Sequence, residues 1–162
     1  HWPLLEVSAW SSWQRVAMFI AGLWDEALCA DAALVAEEAV RLAADVPRER
    51  AVLEAIRFVQ EEVRYLAVDF GHGAGLLPNG AGTVLRRRFG DCKDKSVLLC
   101  ALLRALGLHA APVLVASNWR EAVTRLMPST GAFSHAIVMF EFEGRRMYVD
   151  PTCIGQRGDL QH

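Results

Sequence analysis

Apolar positions recur at helical spacing through the first half of the chain and at strand spacing through its last third. Trp13, Val16, Ile20 and Leu23 step every three or four residues. Ser11-Ser12-Trp13-Gln14 stands before them, and its S-x-x-Q form predicts a capping box. Asp31 is placed to cap a second helix to about Ala44, stopped by Pro47. The third pattern is the most regular: Val52, Ile56, Val59, Val63 and Leu66 step by 4, 3, 4 and 3. That predicts one continuous helix with a single apolar stripe. Glu54, Arg57, Glu61 and Glu62 fall largely on its other faces.

The periodicity then breaks. Gly71-His72-Gly73-Ala74-Gly75, Pro78-Asn79-Gly80 and Gly82 predict a loop over 71–82. Its Gly71-x-Gly73 lacks the preceding strand and third glycine of a dinucleotide fingerprint. Residues 91–106 predict a helix ended by Gly107. It is apolar nearly all round from Val97 to Leu106, with Lys93 and Arg104 on one narrow polar stripe, so it is expected inside the domain. Beyond it the period changes to two. Strands are expected over 112–116, 136–142 and 145–149, the last two joined by Glu143-Gly144 as a two-residue turn. Residues 117–133, with Pro128 and Gly131, are expected as a surface excursion.

The elements amount to an α+β fold, with helices first and an antiparallel sheet packed on a buried helix. Composition agrees with one globular domain over 1–162: 53% of residues are hydrophobic and 22% charged. A net charge of -2 and a pI of about 6.2 leave no basic footprint, so nucleic acid is not the expected partner. No apolar run is long enough to span a membrane, the best candidate being 97–103. The chain starts with His and shows no charged and apolar leader, which reads as a domain excised from a longer protein. The compartment is not legible from it.

Of the four cysteines, Cys29, Cys92, Cys100 and Cys153, no two form a C-x-x-C pair. Cys92 stands at the start of the buried helix, where unpaired N–H groups and the helix dipole favour a thiolate. Lys93 and Lys95 add positive charge in the expected first turn. Cys100, deeper in the apolar stretch, reads as a core residue. The hairpin supplies partners for Cys92. With Glu143 and Gly144 as turn residues, Phe142 faces Arg145, Phe140 faces Met147 and Ile137 faces Asp150. His135 points the same way as Ile137, so Asp150 is its diagonal neighbour, about 7–8 Å away before the side chains reach toward each other. One residue more or less in the turn would separate the two onto opposite faces. Nucleophile, base and orienting carboxylate are thus available as Cys92, His135 and Asp150.

At these residues the chain resembles the transglutaminase-like superfamily, within the papain-like cysteine peptidase fold. The likeness rests on Val63-Arg64-Tyr65, the loop up to Pro78, Phe89-Gly90-Asp91-Cys92-Lys93-Asp94-Lys95-Ser96, Ser134-His135-Ala136 and Tyr148-Val149-Asp150-Pro151-Thr152. It covers about 51–152 and is greatest to bacterial members in which such a domain sits within a longer chain. The resemblance implies a Cys92-His135-Asp150 triad and acyl transfer through a thioester on the amide bond of a protein or peptide. Water completing the cycle gives a peptidase or amidase, and an amine gives a crosslink. It also implies an oxyanion donor upstream of the nucleophile, for which Tyr65 and Gln60 are the candidates beside the Cys92 main-chain N–H. There is no EF-hand-like loop, and neither a metal nor another cofactor is expected.

Two other readings use the same residues. Cys92, His135, Asp150 and Cys153 have the chemistry of a zinc site, and a non-catalytic binding module would keep the same fold. Further features carry weaker expectations. Asp69 and Asp94 are alternative carboxylates, with Asp94 in the first helical turn. His72 falls in the glycine loop, Trp10, Trp13, Trp24 and Trp119 are candidates for a groove, and Arg157-Gly158-Asp159 lies in the tail.

Overall fold

The computed structural model describes residues 6–66 and 74–160; Asp69, Gly71, His72 and Gly73 lie outside them. Helix α1 spans Trp13–Cys29 and buries Val16, Ile20 and Trp24. Its cap is Ser12 rather than Ser11: Ser12 is extended, and its Oγ accepts the Arg15 N–H at 3.2 Å. The expected box does not form, because the third helical position is then Arg15 rather than Gln14. Helix α2 covers Ala32–Ala43. Asp31 precedes it, but in a left-handed conformation with no side-chain cap bond. Its carboxylate instead accepts from Arg86 Nη2 at 2.6 Å.

Helix α3, Arg48–Arg57, is shorter than its apolar stripe suggests. It runs into a π turn over Phe58–Glu62, and the chain becomes extended at Val63. Val63 and Leu66 therefore lie beyond the helix, although Val63 stays buried. A π turn admits an extra residue into the helical register, which apolar spacing alone does not reveal. Strand β1, Arg64–Tyr65, follows.

A second unforeseen element, α4 over Ala81–Arg87, takes in the end of the expected loop. Gly82 sits inside it because a Cβ there would collide with Asp31. Strand β2, Phe89–Gly90, pairs in parallel with β1 through Arg64↔Phe89 and Tyr65↔Gly90. Helix α5, Cys92–Ala105, comes next and is buried continuously from Asp94 to Leu103. It ends as expected at Gly107, whose φ is 77°. The Gly107 N–H reaches Arg104 O at 2.9 Å and the Leu108 N–H reaches Leu103 O at 3.0 Å, the paired bonds of a Schellman motif.

Strands β3 (Ala110–Val115), β4 (His135–Phe142) and β5 (Arg145–Val149) form one antiparallel sheet in that order. The first begins two residues before the expected 112, and Pro112 is tolerated because β3 is an edge strand. Ala136, Val138, Phe140 and Phe142 alternate inward and share the core with Leu98, Leu99 and Leu102 of α5. Between β3 and β4 the excursion forms two short 3-10 turns, Arg120–Arg125 and Thr130–Ala132, the first with no buried residue. The site-bearing ends of α5, β4 and β5 are thus held by one apolar core.

Candidate active site

The geometry begins at the β4–β5 turn. Glu143 and Gly144 have φ of 50° and 74°, the doubly left-handed form of a type I′ hairpin. The register follows as Phe142↔Arg145, Phe140↔Met147 and Val138↔Val149. Asp150 comes directly after Val149 and so falls on the face of His135. His135 Nε2 lies 2.7 Å from Asp150 Oδ2. The other carboxylate oxygen, Oδ1, accepts from Thr152 N at 2.8 Å and from Thr152 Oγ1 at 2.7 Å. Burial pushes the Asp150 carboxyl up, but the bonds from Thr152 and His135 together outweigh it and leave the pKa lowered.

Each residue of Gly90-Asp91-Cys92-Lys93-Asp94-Lys95 has a separate physical task. Asp91 caps α5 by accepting the Lys93 and Asp94 N–H groups at 3.1 and 3.2 Å. The Asp94 carboxylate closes the box on the Asp91 N–H. It also accepts from the Asn79 N–H at 2.7 Å and from Arg87 Nη2 at 2.5 Å. Asp94 is therefore the anchor that joins the loop end and α4 to the start of α5, a larger role than complementing a dipole. Gly90 has no side chain because a Cβ would fall 2.5 Å from Asp94 Cβ. The Lys93 ammonium is held by Asp91. Lys95 is wholly buried and donates to Val63 O at 2.6 Å and Gln60 O at 3.3 Å.

This corrects the expected electrostatics at Cys92. Lys95 turns its charge toward the π turn, and Lys93 is paired with Asp91. Burial is the largest influence on the half-buried Cys92 thiol and raises its pKa, with Asp91 acting the same way. Hydrogen bonds from the Ala136 and Lys93 main-chain N–H groups and the Lys93 charge oppose them without cancelling them. Cys100 has no exposed surface, and burial drives its thiol to about 12. It is a core residue, as its position in the apolar stretch suggested.

Cys92 and His135 line one cavity of about 430 Å³, together with Ala136, Trp24, Leu114 and Phe133. Trp24 is the one of the four candidate tryptophans on this wall, its indole donating to Leu76 O at 2.8 Å. Tyr65 is partly exposed. Burial and the neighbouring Cys92, Asp91 and Asp150 raise its phenol pKa, so the ring stands in the electrostatic field of the site. Gln60, the other oxyanion candidate, has its side-chain N–H groups engaged elsewhere. Its Nε2 is committed to Asp150 O and Gln156 Oε1, both at 2.9 Å.

The zinc alternative loses its geometry: among the described residues no three His, Cys, Asp or Glu side chains gather closely enough to hold a metal ion. Cys153 is exposed, and its thiol pKa is raised by burial and by Asp150. In the tail, Arg157 is paired with Glu61. The positioning groups Thr152, Gln156 and Asn79 were not singled out from the sequence. Asp150-Pro151-Thr152 does carry a local signal, since such spacing favours an Asx-type turn.

The sequence profile of the transglutaminase-like superfamily matches residues 36–151. The chain belongs to that superfamily. No curated protein sequence matches it. Among solved structures, this transglutaminase-like domain is similar to a candidate protease from Parabacteroides distasonis ATCC 8503 at a TM-score of 0.66 and 17% identity, covering 80% of this chain and 25% of the other. It is also similar to a candidate cysteine protease from Cytophaga hutchinsonii at a TM-score of 0.56 and 20% identity, covering 82% and 41% respectively. At such identities the likeness shows the fold, the α+β papain-like arrangement. The chain spans about a quarter to two fifths of those proteins' length. Among the described residues no helix is long and apolar enough to cross a membrane.

Proposed function

We propose that this transglutaminase-like domain is a cysteine-dependent acyl-transfer enzyme acting on amide bonds of a peptide or protein, with Cys92 as nucleophile, His135 as acid–base and Asp150 as its orienting carboxylate. The 2.7 Å bond between His135 Nε2 and Asp150 Oδ2, at a cavity that His135 shares with Cys92, carries the reading. With Nε2–H donating to Asp150, the ring nitrogen left to serve the sulfur is Nδ1.

His135 takes the thiol proton as the sulfur attacks, the direction in which burial and Asp91 already bias Cys92 by raising its pKa. A C–S bond forms at the amide carbonyl, and the oxyanion takes hydrogen bonds from the Cys92 main-chain N–H and the Tyr65 hydroxyl. The C–N bond then breaks, His135 returns its proton to the departing amine, and a thioester remains. Water or a second amine attacks that thioester, His135 removes the proton of the attacking group, and Cys92 leaves as the thiol. Water yields a carboxylic acid and an amine yields a new amide.

Mass spectrometry of a peptide library incubated with the domain, with and without a primary amine, tests both the chemistry and its outcome. Cleaved or deamidated products that vanish in Cys92→Ala are expected for hydrolysis, and amine adducts for transamidation. No Cys92-dependent product, together with a Cys92 alkylation rate that His135→Ala leaves unchanged, points instead to a binding module.

A further inference from the structure

Lys95 has no exposed surface, and burial lowers its amine to about 8 against a partial opposing pull from Asp150. A buried cation is costly to desolvate, and it depends on the groups that compensate it. Its Nζ donates to Gln60 O and Val63 O at 3.3 and 2.6 Å. These carbonyls stand at the end of the π turn Phe58–Glu62, where helical carbonyls run out of partners and a cation matches the dipole.

Gln60 links this contact to the site. It is itself buried, and its side-chain amide donates to the main-chain oxygen of Asp150 at 2.9 Å. Asp150 lies one residue past the end of β5, where the sheet ladder has stopped. Gln60 therefore fixes the main chain at Asp150 while Thr152 fixes carboxylate oxygen Oδ1. Oδ2 is then directed at His135. The Val63 O contact also secures the entry to β1, which carries Tyr65.

We propose that Lys95 is a positioning residue of the acyl-transfer site that acts through Gln60: its ammonium holds the π turn, and the Gln60 amide holds the main chain from which Asp150 reaches His135. The inference rests on the triad reading above.

A double-mutant cycle on Lys95→Met and Gln60→Leu tests it. Thermal unfolding confirms that each variant is folded. Two rates are read: iodoacetamide alkylation of Cys92, mapped by peptide mass spectrometry and needing no known substrate, and kcat on a library peptide that the wild type turns over. Each single variant is expected to slow alkylation, and to lower kcat on the order of 10²-fold, with KM nearly unchanged. The double variant is expected to be no slower than the slower single one, because both changes break one chain of contacts. A folded Lys95→Met with wild-type rates overturns the inference, as do effects that multiply in the double variant. Lys95→Gln, which keeps a hydrogen-bond donor, enters the same cycle where the Met variant does not fold. Cys92→Ala separates the two levels. If it retains turnover, the acyl-transfer reading itself fails. If it abolishes turnover while Lys95→Met is unimpaired, only the positioning role fails.

Discussion

His135 and Asp150 meet at 2.7 Å although they are diagonal, not facing, positions of the β4–β5 hairpin, whose last facing pair is Val138↔Val149. The contact depends on Asp150 leaving the strand and being turned back by Thr152. Under the proposed acyl transfer, Asp150→Ala should lower turnover by about 10²-fold or more, since it removes the group that holds the imidazole. Asp150→Asn should retain more activity than Ala, because an amide oxygen still accepts the Nε2–H. Steady-state kinetics of both variants test this ordering, and an Ala variant as active as Asn would sink it.

Asp91 caps α5 and at the same time opposes thiolate formation at Cys92. Asn caps about as well as Asp but carries no charge. Asp91→Asn should leave the helix intact, release Lys93 from its ion pair and lower the Cys92 pKa. The pH midpoint of Cys92 alkylation, resolved by peptide mapping from the exposed Cys29 and Cys153, should move down. An unmoved midpoint would show that burial alone sets the thiol.

Gly90 is required by packing rather than by backbone conformation. A Cβ at this position would lie 2.5 Å from Asp94 Cβ and 2.9 Å from Asp94 Oδ2. Gly90→Ala should displace the Asp94 anchor from Asn79 and Arg87 and destabilise the fold by about 1–3 kcal/mol. Urea unfolding measures it, and a midpoint equal to wild type would mean that Asp94 yields without loss.

Lys95 also makes stability depend on pH. Its folded pKa, about 8, lies below its ordinary 10.5, so the unfolded chain binds more protons between those values. The penalty of burying the charge is fully present below the folded pKa and is relieved as pH rises toward the unfolded one. Between about pH 7 and about pH 9.5 the wild type should gain stability relative to Lys95→Met. The cysteine and tyrosine titrations occur in both proteins, so the difference in urea midpoints isolates Lys95. A difference that is flat with pH would count against a buried, titrating amine.

Much of the fold is written locally. The Schellman end at Gly107, the type I′ turn at Glu143-Gly144 and the β4–β5 register all follow from short-range chemistry, which the sequence displays directly. The π turn at Phe58–Glu62 and helix α4 were not legible. Apolar spacing is nearly the same for a helix that continues and one that admits an extra residue. Gly80 and Gly82 read as loop signals, but Gly82 is demanded by the distant Asp31. Gln60 and Lys95 show a related effect: the resemblance suggests Gln60 as an oxyanion donor and the first helical turn suggests Lys95 as a charge beside the thiol, whereas both side chains bond distant main-chain carbonyls.

By itself the sequence determined the parity that puts Asp150 on the face of His135 and Cys92 at the start of α5, because strand alternation and helix capping are set within a few residues. Only the tertiary structure decided where the charges point. It turns Lys95 away from the thiol toward the carbonyls of the π turn, leaves burial and then Asp91 to raise the Cys92 pKa, and commits Gln60 to the main chain of Asp150. Those outcomes depend on which distant carbonyls and carboxylates lack partners once the core has closed.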